Sequence, residues 1–408
     1  MNNYYLLKNG RIRREGNTLT IENAEGQKKP IPIEDVESLY LYGEVDLNTK
    51  LLVFLAQKKI TLHVFNYYGF YSGSYYPREY LHSGYLLVHQ VAHYADPAKR
   101  MHLARELVRA SAHSILRNVA YYSRRKGAGL SAQNDPDPTG EIADPPLVAS
   151  AIPTDDTLEV EVDTVGLSPL SLLEAELETG REGEEKSEVP ERDPLIVELD
   201  FSEPAEPLDA LRKTISSVAL QIEVVTEVNP LRGVEGKIRE RYYQAWRHIL
   251  SDEWAFTLRV RRPPDNEVNA LISFGNSFLY TVCLAEIYRT QLTPTISYLH
   301  EPGARRFSLA LDLSEIFKPL IVDRAIFRLI NTGQLKPTHF EAAMGGCYLN
   351  EAGKKLFLGA LEERLGTTIK HRRLNRHVSY RHLIRLECYK LVRHLTGIEE
   401  YRAFRAWW

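Results

Sequence analysis

Residues 131–210 cannot join a hydrophobic core, and this limits how the rest of the chain folds. The stretch holds 23 acidic residues against three basic ones, Arg181, Lys186 and Arg192, and Phe201 is its one aromatic. Runs such as "NDPDPTGEIADPP" and "ELETGREGEEKSEVPERD" offer too little apolar surface to offset the entropy lost on ordering, so a flexible acidic insertion is expected here. Only "TLEVEVDTV" and "PLIVELDF" carry strand-like patterning. With 408 residues, the chain is long enough for about two domains, whose cores must come from the segments on either side.

The block also masks a charge asymmetry. Its local charge of −20 sits inside a chain of net charge −3, which leaves +17 on the remainder. A body that basic points to a polyanionic partner. Cys283, Cys347 and Cys388 stand far apart with no CxxC pairing, so neither a disulfide framework nor a thiolate zinc site is suggested, and a reducing cytoplasm is the natural reading. The start, "MNNYYLLKNGRIRREG", has no apolar h-region, and no later stretch reads as the roughly 18 to 20 apolar residues of a membrane span. A cytoplasmic protein with no membrane contact is expected.

From Tyr4 to about Tyr76 the chain reads as short strands punctuated by turn signals such as Asn9-Gly10 and Tyr68-Gly69. Only "DLNTKLLVFLAQKK", residues 46–59, has helical periodicity, with Leu47, Leu51, Leu52, Phe54 and Leu55 on an apolar face. Asp96-Pro97 then signals a helix start, and the pattern predicts a long helix to about Lys126. Between Lys99 and Lys126 that helix carries eight basic residues against the single acid Glu106, either as a solvated face or as a phosphate-contacting one. Helical signals resume near Leu211 and continue to the end. The organisation expected is α+β and multidomain. A β-rich amino-terminal domain (1–84) precedes an all-α domain made of 85–130 and 211–408, with 131–210 inserted.

The segment "SYLHEPGARRFSLALDLSEIFKPLIVDR", residues 297–324, sets His300 before an apolar strip that runs into Asp312 and Glu315. The i, i+3 spacing puts both carboxylates on one helix face. His300 lies twelve residues upstream, a distance that a strand or hairpin through "ARRFSLAL" folds back. The structural alternative makes Asp312 an N-cap and Glu315 its capping-box partner at the start of "EIFKPLIVDRAIFRLIN". A further acid, Glu235, lies in "NPLRGVEGKIRERYYQAW" beside Gly236, on a helix whose Ile238, Tyr242 and Trp246 are spaced to face a core. A first-turn glutamate favoured by the helix dipole is the plainer reading of it. Glu, His and Glu or Asp together suit Mn2+ or Mg2+. In "RRPPDNEVNALISFGNSFLYTVCLAEIYRTQL", Asn269, Ser273, Asn276 and Tyr280 form a polar stripe on an apolar helix. The stripe is either a helix–helix seam or, through Asn269, Ser273 and Asn276, a support for the ligands.

The ordered series "GVEGKIRERYY", "RRPPDNEVNALISFGNSFLY", "LHEPGARRFSLALDLSEIFKPLIVDR" and "VSYRHLIRLECYKLVRHLTGIEEYRAF" resembles the CRISPR-associated endonuclease and integrase of spacer acquisition, the family of Cas protein number one. The amino-terminal "LYLYGEVDLNTKLLVFLAQKKITLHVFNYYGFYSG" resembles that family's β-domain, and the likeness spans nearly the whole chain outside 131–210. It implies that Glu235, His300 and Glu315 bind a divalent metal, Mn2+ or Mg2+, with Asp312 as the adjacent catalytic acid. It further implies a homodimer working with a small ferredoxin-like partner, Cas protein number two. Their substrates are double-stranded DNA, the protospacer and the CRISPR repeat, joined by transesterification in antiviral defence. Arg262, Arg305, Arg306, Arg376, Arg381 and Arg385 are expected to contact DNA. The aromatic stretch "FNYYGFYSGSYY" is expected to be exposed and to support dimerisation. Two alternatives stay open. A non-catalytic nucleic-acid scaffold is set apart by metal dependence, and a stand-alone nuclease on branched DNA by strand joining.

Overall fold

Turn chemistry and alternation build two four-stranded sheets from the first 75 residues. One sheet has the order β1 (Asn2–Leu6), β5 (Val36–Leu41), β7 (Thr61–Phe65) and β8 (Tyr71–Tyr75), parallel except for the last pair. The other runs β4 (Lys28–Pro32), β3 (Thr18–Asn23), β2 (Gly10–Glu15) and β6 (Val45–Asp46). The computed structural model describes residues 2–77, 81, 83–127, 208–251, 253–254, 256–303, 307–371 and 374–406. All but the last three residues of the acidic block 131–210 lie outside that set, and so do Arg305 and Arg306. The predicted early helix is α1 (Thr49–Gln57), which starts where the Asn48 side chain accepts from the Leu51 amide.

The first sheet is buried on both faces, as parallel strands require. Leu6, Leu39, Leu41 and Leu62 point to a small core shared with Ile12, Leu19, Ile31 and the α1 residues Leu51, Phe54 and Leu55. On the opposite face, alternation presents aromatic rings. Tyr42 stacks on Phe65 at 4.2 Å, Tyr5 on Tyr40 at 4.8 Å, and Tyr42 meets Phe274 of α6 (Glu267–Tyr288) at 5.5 Å. Gly69 adopts a φ of +83°, and a Cβ there would come within 2.4 Å of the Phe274 ring, so only glycine lets this loop settle on α6.

The stretch "FNYYGFYSGSYY" is therefore turned inward and is not the exposed patch expected of it. Tyr68 packs on Tyr348, Tyr71 on Tyr280 and Tyr76 on Tyr288, and Tyr67 alone among its aromatics is exposed. α6 itself corrects the hydropathy reading. It is long and apolar enough to cross a membrane, yet it lies in the protein core against the aromatic sheet face.

The remainder is helical. α2 (Gly84–Ala95) leads into α3 (Pro97–Gly127), whose start is capped by Asp96 accepting from the Ala98 and Lys99 amides at 2.9 and 3.0 Å. α4 (Leu208–Val224), α5 (Val228–Ile249), α7 (Ser308–Lys318), α8 (Arg324–Asn331), α9 (Glu351–Gly366) and α10 (Tyr380–Leu395) follow, with a π turn over Pro319–Asp323 joining α7 to α8. This part is not all-α. Two hairpins, β9 (Phe340–Ala343) with β10 (Gly346–Leu349) and β11 (Thr368–His371) with β12 (Arg376–Ser379), interrupt it, and their four-residue strands are too short to show a period in the sequence.

Much of the basic charge is spent inside. On α3, Arg105 donates to the Ile222 and Val225 carbonyls closing α4, Arg109 pairs with Glu223 and Glu106, and Arg100 pairs with Glu301 at 2.7 Å. Arg381 and Arg385, expected on a DNA surface, instead tie helices to the sheet. Arg381 bonds Glu362 at 2.6 Å, and Glu362 also accepts from the Tyr5 hydroxyl. Arg385 bonds buried Glu286 at 2.6 Å and reaches Glu37 of β5 at 3.7 Å. Arg385→Ala is thus expected to strand a Glu286 that is 1% exposed and to cost about 3 kcal/mol. A thermal melt should fall while duplex affinity stays near wild type, whereas lost affinity at an unchanged melting temperature would return Arg385 to the DNA surface.

Candidate functional site

Ile238, Tyr242 and Trp246 are buried as the periodicity of α5 predicts, which leaves Glu235 and Arg239 one turn apart on a neighbouring flank. α7 begins at Ser308, not at Asp312. Its first turn is fastened by Ser308 Oγ donating to the Thr295 carbonyl at 2.7 Å and the Leu309 amide donating to Pro294 at 2.9 Å. Of the strip "ARRFSLAL", read as a strand or hairpin, residues 304–306 lie outside the described residues, Phe307 is the N-cap and Ser308–Leu311 are helix, and Leu309, Leu313, Ile316 and Phe317 bury the inner face of α7. Asp312 is therefore a mid-helix residue, and the capping-box reading of Asp312 and Glu315 is corrected.

Asp312 is fully buried and holds the preceding loop. Its Oδ2 accepts from the Tyr298 and Leu299 amides at 2.7 and 3.0 Å, and its Oδ1 accepts from the His300 amide at 3.0 Å and from His300 Nδ1 at 2.8 Å. Four donors satisfy a carboxylate that could not otherwise be buried as an ion. The bond to Nδ1 also sets the imidazole tautomer and leaves Nε2 as the lone-pair nitrogen.

One turn beyond Asp312, Glu315 is bracketed by cations. Arg239 Nη2 lies 2.5 Å from Oε2, and Lys318 donates to Oε1. Arg239 Nε is also 3.7 Å from Glu235 Oε1, so one guanidinium spans both glutamates. Burial drives the Glu315 carboxyl upward, but Lys318, Arg239 and His300 together outweigh it and hold the group at about 2. Glu235 is raised by burial and by the Glu315 charge. For His300, burial pulls downward, and the bond to Asp312 with the charges of Asp312 and Glu315 leaves it raised. These mutual influences put Glu235, His300 and Glu315 in one neighbourhood. Glu235 and His300 form its rim with side chains 24% and 29% exposed, and Glu315 lies deeper at 10%.

The donor set of two carboxylates and an imidazole anchored through Nδ1 fits a hard divalent cation. Among the described residues no three such side chains converge tightly enough to enclose one as they stand. Arg239 bridges the glutamates instead.

The polar stripe of α6 serves another neighbour. Asn269 Oδ1 and Ser273 Oγ accept from Arg259 at 3.0 and 2.9 Å, Asn276 Oδ1 is buried without a hydrogen-bond partner, and the Tyr280 hydroxyl accepts from the Phe307 amide at 3.2 Å. Asn269 and Ser273 thus hold an arginine, not the acids and histidine expected of them. Arg262 and Arg376 are exposed. The residues missed in the sequence are Arg239 and Lys318, although their spacing, four after Glu235 and three after Glu315, placed them beside the acids.

The profile of the family described as CRISPR associated protein Cas1 matches residues 4–144 and 197–363. The chain belongs to that family. It is 41% identical over 408 residues to a CRISPR-associated endonuclease Cas1 of Thermodesulfovibrio yellowstonii, with all of both chains covered. A second such endonuclease, from Moorella thermoacetica, is also 41% identical over the full length of both. Among solved structures, a CAS1 protein from Thermotoga maritima is 34% identical with a TM-score of 0.69, covering 99% of this chain and 100% of that one. A casposase bound to its integration product shares the fold at 17% identity, with a TM-score of 0.71 over 98% of this chain and 92% of its own.

Because Asp312 takes four hydrogen bonds, Asp312→Ala is expected to cost about 3 kcal/mol or more, against about 1 kcal/mol for the loss of a helix cap. Urea denaturation distinguishes the two, and a loss of only the smaller size would remove Asp312 from the centre of the site.

Proposed function

We propose that this protein is a metal-dependent DNA endonuclease and integrase that inserts short foreign fragments into a CRISPR array by transesterification. The observation that carries this reading is that Glu235 and Glu315, spanned by one guanidinium, lie in the same neighbourhood as His300, whose tautomer Asp312 fixes. Family membership supports it, as do relatives named endonucleases and a structural neighbour solved with an integration product. Glu235, Glu315 and His300 Nε2 would hold Mn2+ or Mg2+. When bound, such an ion supplies Lewis acidity toward a phosphoryl oxygen and toward an attacking 3′-hydroxyl.

The chain's own groups do the rest. Asp312 keeps the imidazole aimed without spending Nε2. Arg239 and Lys318 offset the negative charge of buried Glu315, so the carboxylate stays ionised at neutral pH. The outer face of α5 suits a nucleic-acid backbone. Arg232, Lys237 and Arg241 are exposed there, and Gly233 and Gly236 have open space where a Cβ would stand, so a phosphate can come close to Glu235. The partners in this reading are double-stranded DNA, a second copy of the chain, and a Cas2 protein like the one in a Cas6-RT-Cas1--Cas2 complex of the same fold.

The test is strand transfer into a supercoiled plasmid bearing a repeat, with and without Mn2+. His300→Ala is expected to lower cleavage and joining about 100-fold or more while duplex binding stays near wild type and the chain still folds, with a melting temperature lowered by the loss of one of the four donors to Asp312. Wild-type activity in that variant would sink the metal site, and cleavage without joining would favour a stand-alone nuclease.

A further inference from the structure

A divalent ion that binds Glu235 and Glu315 must displace Arg239, whose guanidinium lies 2.5 Å from Glu315 Oε2 and 3.7 Å from Glu235 Oε1. Lys318 already occupies the other Glu315 oxygen. The displaced guanidinium is buried and needs a new anion, because an unpaired buried charge costs several kcal/mol.

Asp323 is placed to be that anion. It ends the π turn after α7, is 3% exposed, and its Oδ2 has no hydrogen-bond partner. In regular helix the eight residues from Glu315 would rotate about 800°, roughly 80° past two full turns. The π turn takes up about one extra residue, about 100°, and so returns Asp323 to within roughly 20° of the face that carries Glu315. There it faces α5. Tyr242 lies beside it, and it and Arg239 each feel the other's charge. Asn118 braces both elements, donating to the Tyr242 hydroxyl at 2.9 Å and to the Pro319 carbonyl at 2.7 Å. The set of ligands named above makes no use of Asp323.

We propose that Asp323 is a positioning residue that receives the Arg239 guanidinium when a divalent ion takes Glu235 and Glu315, an inference that rests on the metal reading of the site. Arg239 then moves within the buried cluster and is not expelled to solvent, and its positive charge is neutralised away from the incoming ion. Burial raises the Asp323 carboxyl to about 7, and a guanidinium set beside it would hold it ionised.

The experiment is calorimetric titration of the full-length chain with Mn2+ alone, without DNA, for wild type, Asp323→Asn, Arg239→Gln and the double variant. Asp323→Asn is expected to weaken Mn2+ binding about tenfold or more, since the guanidinium has nowhere to go. Arg239→Gln should tighten it, and the double variant should match Arg239→Gln, because with no guanidinium to receive Asp323 has no role. If Asp323→Asn does not fold, Asp323→Ser keeps a polar group beside Tyr242 without the charge and carries the same expectation. A folded Asp323 variant with wild-type affinity, or a double variant as weak as Asp323→Asn, overturns the hand-over while leaving the metal reading intact. A wild type that takes up no Mn2+ overturns the metal reading and the hand-over with it.

Discussion

A single buried carboxylate organises the candidate site of this protein. Asp312 has no solvent exposure, so its charge is tolerable only because four N–H groups point at it, three of them from the successive residues Tyr298, Leu299 and His300. A loop that donates three consecutive amides to one side chain must wrap around it, and its path is then fixed by the helix that carries the acceptor. His300 thereby gains the positional definition of a helix residue although it sits in irregular backbone. Glu315 follows one turn later on the same helix, so two of the three proposed ligands share one rigid frame and only Glu235 comes from another element. Functional geometry held by packed helices and buried bonds is what keeps a site within the narrow tolerances that chemistry requires.

α6 connects that frame to the sheets. Its Phe274 and Phe278 meet the aromatic face of the first sheet, and its Glu286 meets Arg385 of α10. The ion pairs at this seam, Arg385 with Glu286 and Arg289 with Glu37, join strand β5 to two helices. Buried pairs of this kind add little net stability over an apolar contact but penalise any other arrangement in which one partner is left alone. The strands and the helices are accordingly held in one orientation by specificity as much as by hydrophobic area.

Periodicity made some of this legible in advance. The turn-rich strands, the Asp96-Pro97 helix start, and the core-facing Ile238, Tyr242 and Trp246 all follow from local rules, because each depends on neighbours within a few residues. The start of α7 did not, since "DLSE" is a valid capping box and "ARRFSLAL" a valid strand or hairpin, and the bonds that choose helix reach back to Pro294 and Thr295, more than ten residues away. The stripe of Asn269 and Ser273 shows the same limit. Spacing says that they share a helix face, while the identity of Arg259 as their partner depends on how the segment before α6 folds back. Asp312 was legible as an acid near His300, but its role as acceptor for three amides was not, because backbone donors leave no mark on a sequence.

Charge counting meets a related limit, and it bears on where DNA would lie. A surplus of +17 outside the acidic block describes composition, yet an arginine paired with Glu286 has its field largely offset, and one that ends helix α4 has its donors occupied by backbone carbonyls. Arg105, Arg109, Arg381 and Arg385 are all engaged within the fold, so the basic runs that look most suggestive in the sequence contribute less outside than their number implies. What remains outward close to the site is sparser and better placed. Arg232 precedes Glu235 by about one turn of α5, Lys237 and Arg241 extend the exposed basic surface around that helix, and Gly233 and Gly236 keep the approach low. Where a positive charge is anchored therefore matters more than how many there are, because only charges on the open face add to the field that draws a polyanion toward Glu235 and His300.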